Sequence, residues 1–363
     1  MGVRNRFNDA EPRGKKPAVK AASRVTRRST GKVTLNDVAR HAGVSPQTVS
    51  RSIRTPGTVS PDTLERVTNS IAATGYVANL AASNLASNRS MTVAAIIPVI
   101  SASVFSDALH GLEEVLAPRG YQLFIGSTDY SPAHEEQVVR SFLGRRPDGI
   151  FIVGTSHTEA TAGMLREARV PVIEAWDLTD DPVDCVVGFS NSAALRALVE
   201  FAHERGYQHL TFAGSLQSGD FRAAARRASF EASVTDLFPD DKVRVVNSGS
   251  SRIDLETGAM LLDTVLREHP ETDALMFSSD VFAAGAILEC ARRGIDVPGR
   301  IGITGFGDFE LARNLLPPLT TVSVPNREIG TASGELLLAR MNGDATGSSE
   351  LNLGFSIVSR ASL

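Results

Sequence analysis

Gln47, Ser50, Arg51 and Arg54 fall at spacings of three and four, so on a helix they share one face. An amide and two guanidinium groups along one exposed stripe suit the reading of base edges, where Gln pairs with adenine and Arg with guanine in the major groove. A merely solvated helical face would carry the same residues, so the stripe has to be judged by its setting. Other chemistry is harder to assemble. The chain has no Gly-x-Ser-x-Gly elbow, no P-loop and no dinucleotide fingerprint. Its seven histidines, His41, His110, His157 and His209 among them, are scattered, and surface or core roles suit them better than catalysis. Cys185 and Cys290 are too few for a disulfide framework or a zinc site and read as small buried apolar groups. Enzyme activity, a metal and a cofactor are therefore not expected.

The flanking residues supply the setting. Thr34-Leu35-Asn36-Asp37 puts an N-cap ahead of an acid at the third helical position, close to a capping box. Ala42-Gly43 closes that helix. Ser45-Pro46 offers a second cap with proline at the first helical position, and the second helix runs to about Arg54. Val49 and Ile53 lie off the polar stripe, where a bundle can bury them. Thr55-Pro56-Gly57 breaks the chain, Ser60-Pro61 starts a third helix and Gly75 ends it. Three short helices with a tight Gly turn between the first two form a helix-turn-helix bundle. The early residues of a recognition helix reach base edges. DNA contacts are expected from Gln47, Ser50, Arg51 and Arg54 on that stripe, and also from Thr34, Ser45, Pro46 and Thr48.

Charge divides the 363 residues in the same place. Residues 1–90 carry 15 basic and 5 acidic side chains, a net of +10; residues 91–363 carry 22 and 36, a net of −14. A basic head on an acidic body is the footprint of a nucleic-acid-binding module joined to something else. Residues 1–32 hold ten Lys/Arg and few core-forming groups, and read as a basic disordered tail. No apolar stretch follows that would form a signal-peptide core, and no run reaches the roughly 20 apolar residues that span a bilayer. The chain is expected in the cytoplasm, with no membrane partner. Residues 76–90 are Ala-rich and weakly amphipathic, too poor in large apolar groups to form a helix except against a partner.

From Thr92 onward strands and helices alternate. Apolar strand candidates are Val93–Val99, Gln122–Gly126, Gly149–Val153, Val170–Ile173 and Cys185–Val187, then His209–Ala213, Val243–Val246, Ala274–Phe277 and Arg300–Ile303. Such alternation predicts parallel sheets covered by helices on both faces, and about ten strands fit two lobes better than one. Crossings between lobes are expected near Phe189–Ser192 and within Phe306–Val324, followed by a helix over Asn326–Met341 and a last strand over Leu351–Val358. Ligands in open α/β sheets bind beyond the carboxyl ends of the strands, which here would face each other across a cleft.

The run Val33-Thr34-Leu35-Asn36-Asp37-Val38-Ala39-Arg40-His41-Ala42-Gly43-Val44-Ser45-Pro46-Gln47-Thr48-Val49-Ser50-Arg51 resembles the amino-terminal signature of the LacI/GalR repressors. The body, to residue 360, resembles that family's periplasmic-binding-protein-like core. Val187-Gly188-Phe189-Ser190-Asn191, Leu288-Glu289-Cys290 and Leu351-Asn352-Leu353-Gly354-Phe355 resemble the gluconate-utilisation repressors within it. The resemblance implies that residues 76–90 form a hinge helix on operator DNA, with Asn79 among its contacts and Leu85 as a wedge in the minor groove. Ala78 and Leu80 depart from the family's usual Pro and Arg, which removes one expected backbone contact. It also implies effector-binding positions. Arg226, three residues before Ser229-Phe230, stands where a ligand-binding arginine stands. Ser279 replaces an Asn, Gly307 replaces an Asp that accepts bonds from neutral-sugar hydroxyls, Ile253 replaces a stacking aromatic, and Phe105 lines the cleft. Losing a buried carboxylate at 307 while keeping Arg226, with Arg222 one turn earlier, suits an acidic ligand, because arginine forks match carboxylates. Arg222 and Arg227 equally suit a solvated helix face. Trp176, near Glu174 and Asp177, follows a strand end, where it either faces the cleft or packs.

The expected architecture is an all-α helix-turn-helix head plus an α/β core of two doubly wound parallel-sheet lobes. Its divisions are a 1–32 tail, a 33–75 DNA-binding domain, a 76–90 linker and a 91–363 ligand-binding and dimerisation domain. The expected partners are double-stranded operator DNA, a small carbohydrate or sugar-acid effector, and a second copy of the chain, since one head reads one half-site. A solute-binding protein of a transporter would share the core but would not need Gln47 and Arg51.

Overall fold

The computed structural model describes residues 33–77, 89–100, 103–216, 219–249, 252–344 and 349–363. The chain divides into two compact units, Met1–Leu80 and Ala81–Leu363. In the first, α1 (Leu35–Ala42), α2 (Pro46–Arg54) and α3 (Pro61–Thr74) form the bundle. The Thr34 capping box is present, Ser45 caps α2 ahead of Pro46, and Gly43 and Gly75 end α1 and α3 in left-handed backbone at φ 66° and 64°. Val38, Ala39, Ala42, Val49 and Val67 make the small core. Ile53 does not join it and stays 37% exposed. The buried seam of α2 runs instead through Val49 and Ser52, three apart, where α1 and α3 close on it. The Ser52 hydroxyl is satisfied there by donating to the Thr48 carbonyl at 2.9 Å.

The second unit begins with β1 (Thr92–Ile97), α4 (Ser103–Leu116), β2 (Gln122–Ser127), α5 (Pro132–Leu143), β3 (Gly149–Val153), α6 (Glu159–Glu167), β4 (Val172–Ala175) and β5 (Cys185–Gly188). There follow α7 (Asn191–Glu204), β6 (Leu210–Gly214), α8 (Phe221–Leu237), β7 (Val245–Asn247), α9 (Leu255–Glu268), β8 (Ala274–Phe277), α10 (Asp280–Arg293), β9 (Gly302–Gly307), α11 (Glu310–Asn314) and β10 (Thr320–Ser323). The chain ends with α12 (Asn326–Met341), β11 (Glu350–Asn352) and β12 (Ser356–Val358). One six-stranded sheet has the order β11-β5-β4-β3-β1-β2 and the other β12-β10-β9-β8-β6-β7. All pairings are parallel except that of β10 with β12. The central strands β1, β3, β4, β6 and β8 are buried along their whole length, as strands covered on both faces must be.

The first lobe crossing falls where the sequence placed it, near Phe189–Ser192, and the later ones differ from the sequence reading. The chain crosses between β5 and α7, again between β10 and α12, and a third time between β11 and β12. The expected last strand over Leu351–Val358 is two strands, β11 beside β5 in the first lobe and β12 beside β10 in the second. Gly354, left-handed at φ 71°, ends the extended run between them. The expected crossing within Phe306–Val324 contains β10, whose Thr-Thr-Val-Ser sequence carries no apolar run. Thr320 and Thr321 are nevertheless fully buried, and their hydroxyls donate to the Arg360 carbonyl at 3.1 Å and to Asp280 Oδ1 at 2.5 Å.

Candidate functional site

On α2, Gln47, Arg51 and Arg54 are exposed and Ser50 is half-buried. Arg54 Nη2 donates to Ser50 Oγ at 2.7 Å, which ties those two together. At the helix start, Ser45 Oγ accepts from the Thr48 N–H at 3.1 Å and meets Thr48 Oγ1 at 2.8 Å. Thr34, exposed at the start of α1, is engaged by Asp37 through both its N–H and its hydroxyl, at 2.9 and 2.6 Å. Those bonds hold the Asp37 carboxyl below its ordinary value. Asn79 and Leu85 lie outside the described residues.

In the second unit, a cavity of about 570 Å³ opens between the lobes. Val99, Tyr130, Trp176 and Phe189 follow first-lobe strands, and Ser215, Ser278, Phe306 and Val324 follow or end second-lobe strands, so both sets of carboxyl ends face it. All six expected effector positions line this one cavity: Phe105, Arg222, Arg226, Ile253, Ser279 and Gly307.

The arginines of α8 separate by environment. Arg222 is 8% exposed, with its guanidinium 5.9 Å from the ring centres of both Phe105 and Tyr130 and 3.9 Å from Asp220 Oδ1. It does not decorate a solvated face. Arg227 does, bonded to Glu231 one turn on at 2.7 Å. Arg226 Nη1 donates to Asn191 Oδ1 at 2.7 Å, its guanidinium lies 4.6 Å above the Phe306 ring, and its buried Nε has no hydrogen-bond partner. Its direct partners are thus neutral, and burial lowers its pKa from the ordinary value against the opposing pull of Asp220. Asn191 is itself buried and anchored by its Nδ2, which donates to the Trp176 carbonyl at 2.9 Å. Burial pushes up the nearby Asp177 carboxyl, and burial with Asp220 pushes up the Tyr130 hydroxyl.

Ser279 caps α10, accepting from the Val281 N–H at 3.3 Å, and its O–H is left to donate. Gly307 ends β9 at φ 126°, and a Cβ on it would fall 2.3 Å from the Phe309 ring. The Phe309 backbone is anchored by its N–H, which donates at 2.7 Å to Asp280 Oδ2. Asp280 is fully buried, and burial pushes its carboxyl up to about 6. Trp176 both packs and faces the cleft: it is edge-on to Phe105 at 5.1 Å and lines the cavity. Glu174, beside it in sequence, does not face the cavity and pairs with buried His157 at 3.3 Å. Reasoning from sequence missed Tyr130, Asn191, Phe306 and Phe309 as site residues. The available signal was positional, since all four follow or end a strand at its carboxyl side within three residues.

Residues 34–79 match the bacterial regulatory proteins of the lacI family, and residues 199–363 match the periplasmic binding protein-like domain. The HTH-type transcriptional regulator GntR of Pseudomonas aeruginosa is 33% identical over 342 residues, which span 92% of this chain and 97% of that protein. GntR of Escherichia coli K12 is 30% identical over 89% of this chain and 96% of its own length. The crystal structure of a LacI-family transcriptional regulator from Silicibacter pomeroyi superposes with a TM-score of 0.84 at 36% identity, covering 91% of this chain and 99% of that one.

Proposed function

Since the chain belongs to the LacI family of bacterial regulatory proteins, we propose that it represses genes of sugar-acid catabolism and leaves its operator when a small sugar acid enters the cavity. Members of the family are transcriptional regulators rather than enzymes, and they bind operator DNA and small-molecule effectors as dimers. The finer reading rests on Arg226, a guanidinium set in an aromatic cavity with neutral direct partners. Such a charge is incompletely compensated until an anion arrives, and a carboxylate or phosphate fits its fork. Arg222 adds a second cation on the same helix, and position 307 contributes no opposing carboxylate. The residues resembling gluconate-utilisation repressors support gluconate, or a keto or phosphorylated relative, as that anion. Ser279 and neighbouring backbone groups would bond its hydroxyls, and α2 would read each half-site through Gln47 and Arg51.

Calorimetry on the full-length protein with gluconate, 2-ketogluconate, 6-phosphogluconate, glucose and ribose tests this. An acid is expected to bind and to release operator DNA, and the neutral sugars are not. Tight binding of a neutral sugar with no response to any acid would sink the reading. Arg226→Met should hold operator DNA as the wild type does yet no longer respond to the acid; a normal response would move the anion site to Arg222.

A further inference from the structure

The loop ahead of α8 meets the opposite lobe backbone to backbone. Gly219 lies so close to the Tyr130 carbonyl that a Cβ on it would sit 1.7 Å from that oxygen and 2.9 Å from its carbon. Tyr130 belongs to the first lobe, on the turn after β2, where Asp129 and Tyr130 both hold left-handed backbone at φ 51° and 57°. Residues other than glycine adopt such backbone only under strain, and such sites gather at ligand clamps and switch regions. Three residues beyond Gly219, Arg222 spans the same gap. Its guanidinium stands by the rings of Phe105 and Tyr130, and its Nη1 lies 3.6 Å from where a Cβ on Gly154 would be. The same side chain walls the main cavity and a smaller pocket of about 40 Å³ beyond it. The cation is therefore carried by one lobe and seated in the other.

We propose that Gly219 is a positioning residue of the anion site: its bare Cα lets the lobes meet at Tyr130, and that meeting is what brings Arg222 to its seat between Phe105 and Tyr130. A methyl group at 219 would press on a backbone oxygen that cannot swing aside, so the lobes would have to part and Arg222 would leave the seat. The anion site is then assembled by closure, and its affinity is linked to how often the lobes are closed. The proposal rests on the reading of the cavity as an anion site, but the lobe contact can be tested with no ligand present.

Trp176 is the chain's single tryptophan, 5% exposed in the first-lobe wall of the cavity. Its fluorescence reports opening in the ligand-free, full-length protein. Gly219→Ala is expected to raise acrylamide quenching of Trp176 about twofold or more, and to weaken gluconate binding roughly tenfold, as the closed population falls. Gly163→Ala on α6, where an added Cβ meets nothing within 4 Å, is the control and should match wild type. A Gly219→Ala protein with native circular dichroism and wild-type quenching would overturn the proposal. If that variant does not fold, Arg222→Ala decides: vacating the seat should raise Trp176 quenching, and unchanged quenching refutes the seat. Raised quenching in Gly219→Ala alongside a wild type that binds no acid would uphold the lobe contact and reject the sugar-acid reading instead.

Discussion

At position 307 a side chain would meet a strained backbone and the Phe309 ring. The backbone is left-handed at φ 126°, and an added Cβ would fall 2.3 Å from the Phe309 ring. Gly307→Ala should lose about 1–3 kcal/mol of stability from backbone strain alone; urea unfolding with an unchanged midpoint would show that the ring yields freely. On the head, two arginines of the same stripe are not equivalent. Arg54 is engaged with Ser50, whereas the Arg51 guanidinium is exposed and has no partner among the described residues. Arg51→Ala should therefore cost about 1–3 kcal/mol of operator affinity and relax preference at one position of each half-site, with Arg54→Ala doing less. Operator selection by Arg51→Ala that matches wild type would mean the stripe does not read bases. The arginines also show where sequence alone stops. The spacing of Arg222, Arg226 and Arg227 was plain, but which of them is solvated depends on Phe105 and Tyr130, which come from 92 or more residues away in the other lobe. The exception at Ile53 is of the same kind, since its exposure depends on which side of α2 meets α1 and α3.

Elements with local signals were legible and those without were not. The caps at Thr34 and Ser45 and the glycine ends at Gly43 and Gly75 are chemistry of neighbouring residues, and the helices begin and end on them. The apolar strands likewise stand out by composition. β10 does not, because its buried threonines are satisfied by Arg360 and Asp280, 40 and 41 residues away. His157 is a second case: scattered in sequence, it ties the loop after β3 to two elements of the fold. Its Nδ1 is 2.7 Å from Glu135 on α5 and its Nε2 3.3 Å from Glu174 on β4, with all three side chains mostly buried. Burial alone would lower the imidazole pKa, but the two carboxylates outweigh it and raise it to about 9. A histidine raised in the folded state stabilises fully below its unfolded value near 6.5, and that contribution is lost as pH climbs through about 9. The stability advantage of wild type over His157→Gln should therefore shrink between pH 6 and pH 9.5 by on the order of 3 kcal/mol. Parallel stability profiles for the two proteins across that range would show that the imidazole is not charged in the fold.

The whole molecule has to connect a site in one unit with DNA held by the other, and the only covalent link between them is the stretch that contains Leu85. A basic head and an acidic body make any DNA attract the former by charge alone, with a strong dependence on salt. Specific binding needs more than this, and the repressor reading assigns part of it to Leu85 wedged into the minor groove between two copies of the chain. The two contributions separate experimentally, because a wedge acts only where the duplex is kinked, whereas phosphate attraction acts on any sequence. Leu85→Ala should lower affinity for operator DNA by about tenfold or more, while binding to random DNA and its salt slope stay near wild type. Effector affinity in the cavity should be unchanged in the DNA-free protein, since no DNA is present for the wedge to act on. Equal losses on operator and random DNA would argue that Leu85 supports the head in general. An operator that migrates as unbent in a circular-permutation gel with the wild-type protein would rule out the wedge directly. If the wedge holds, the effector needs only to make it unfavourable to keep. A ligand that binds the closed core more tightly than the operator-bound core shifts the equilibrium by that difference in affinity and by nothing else.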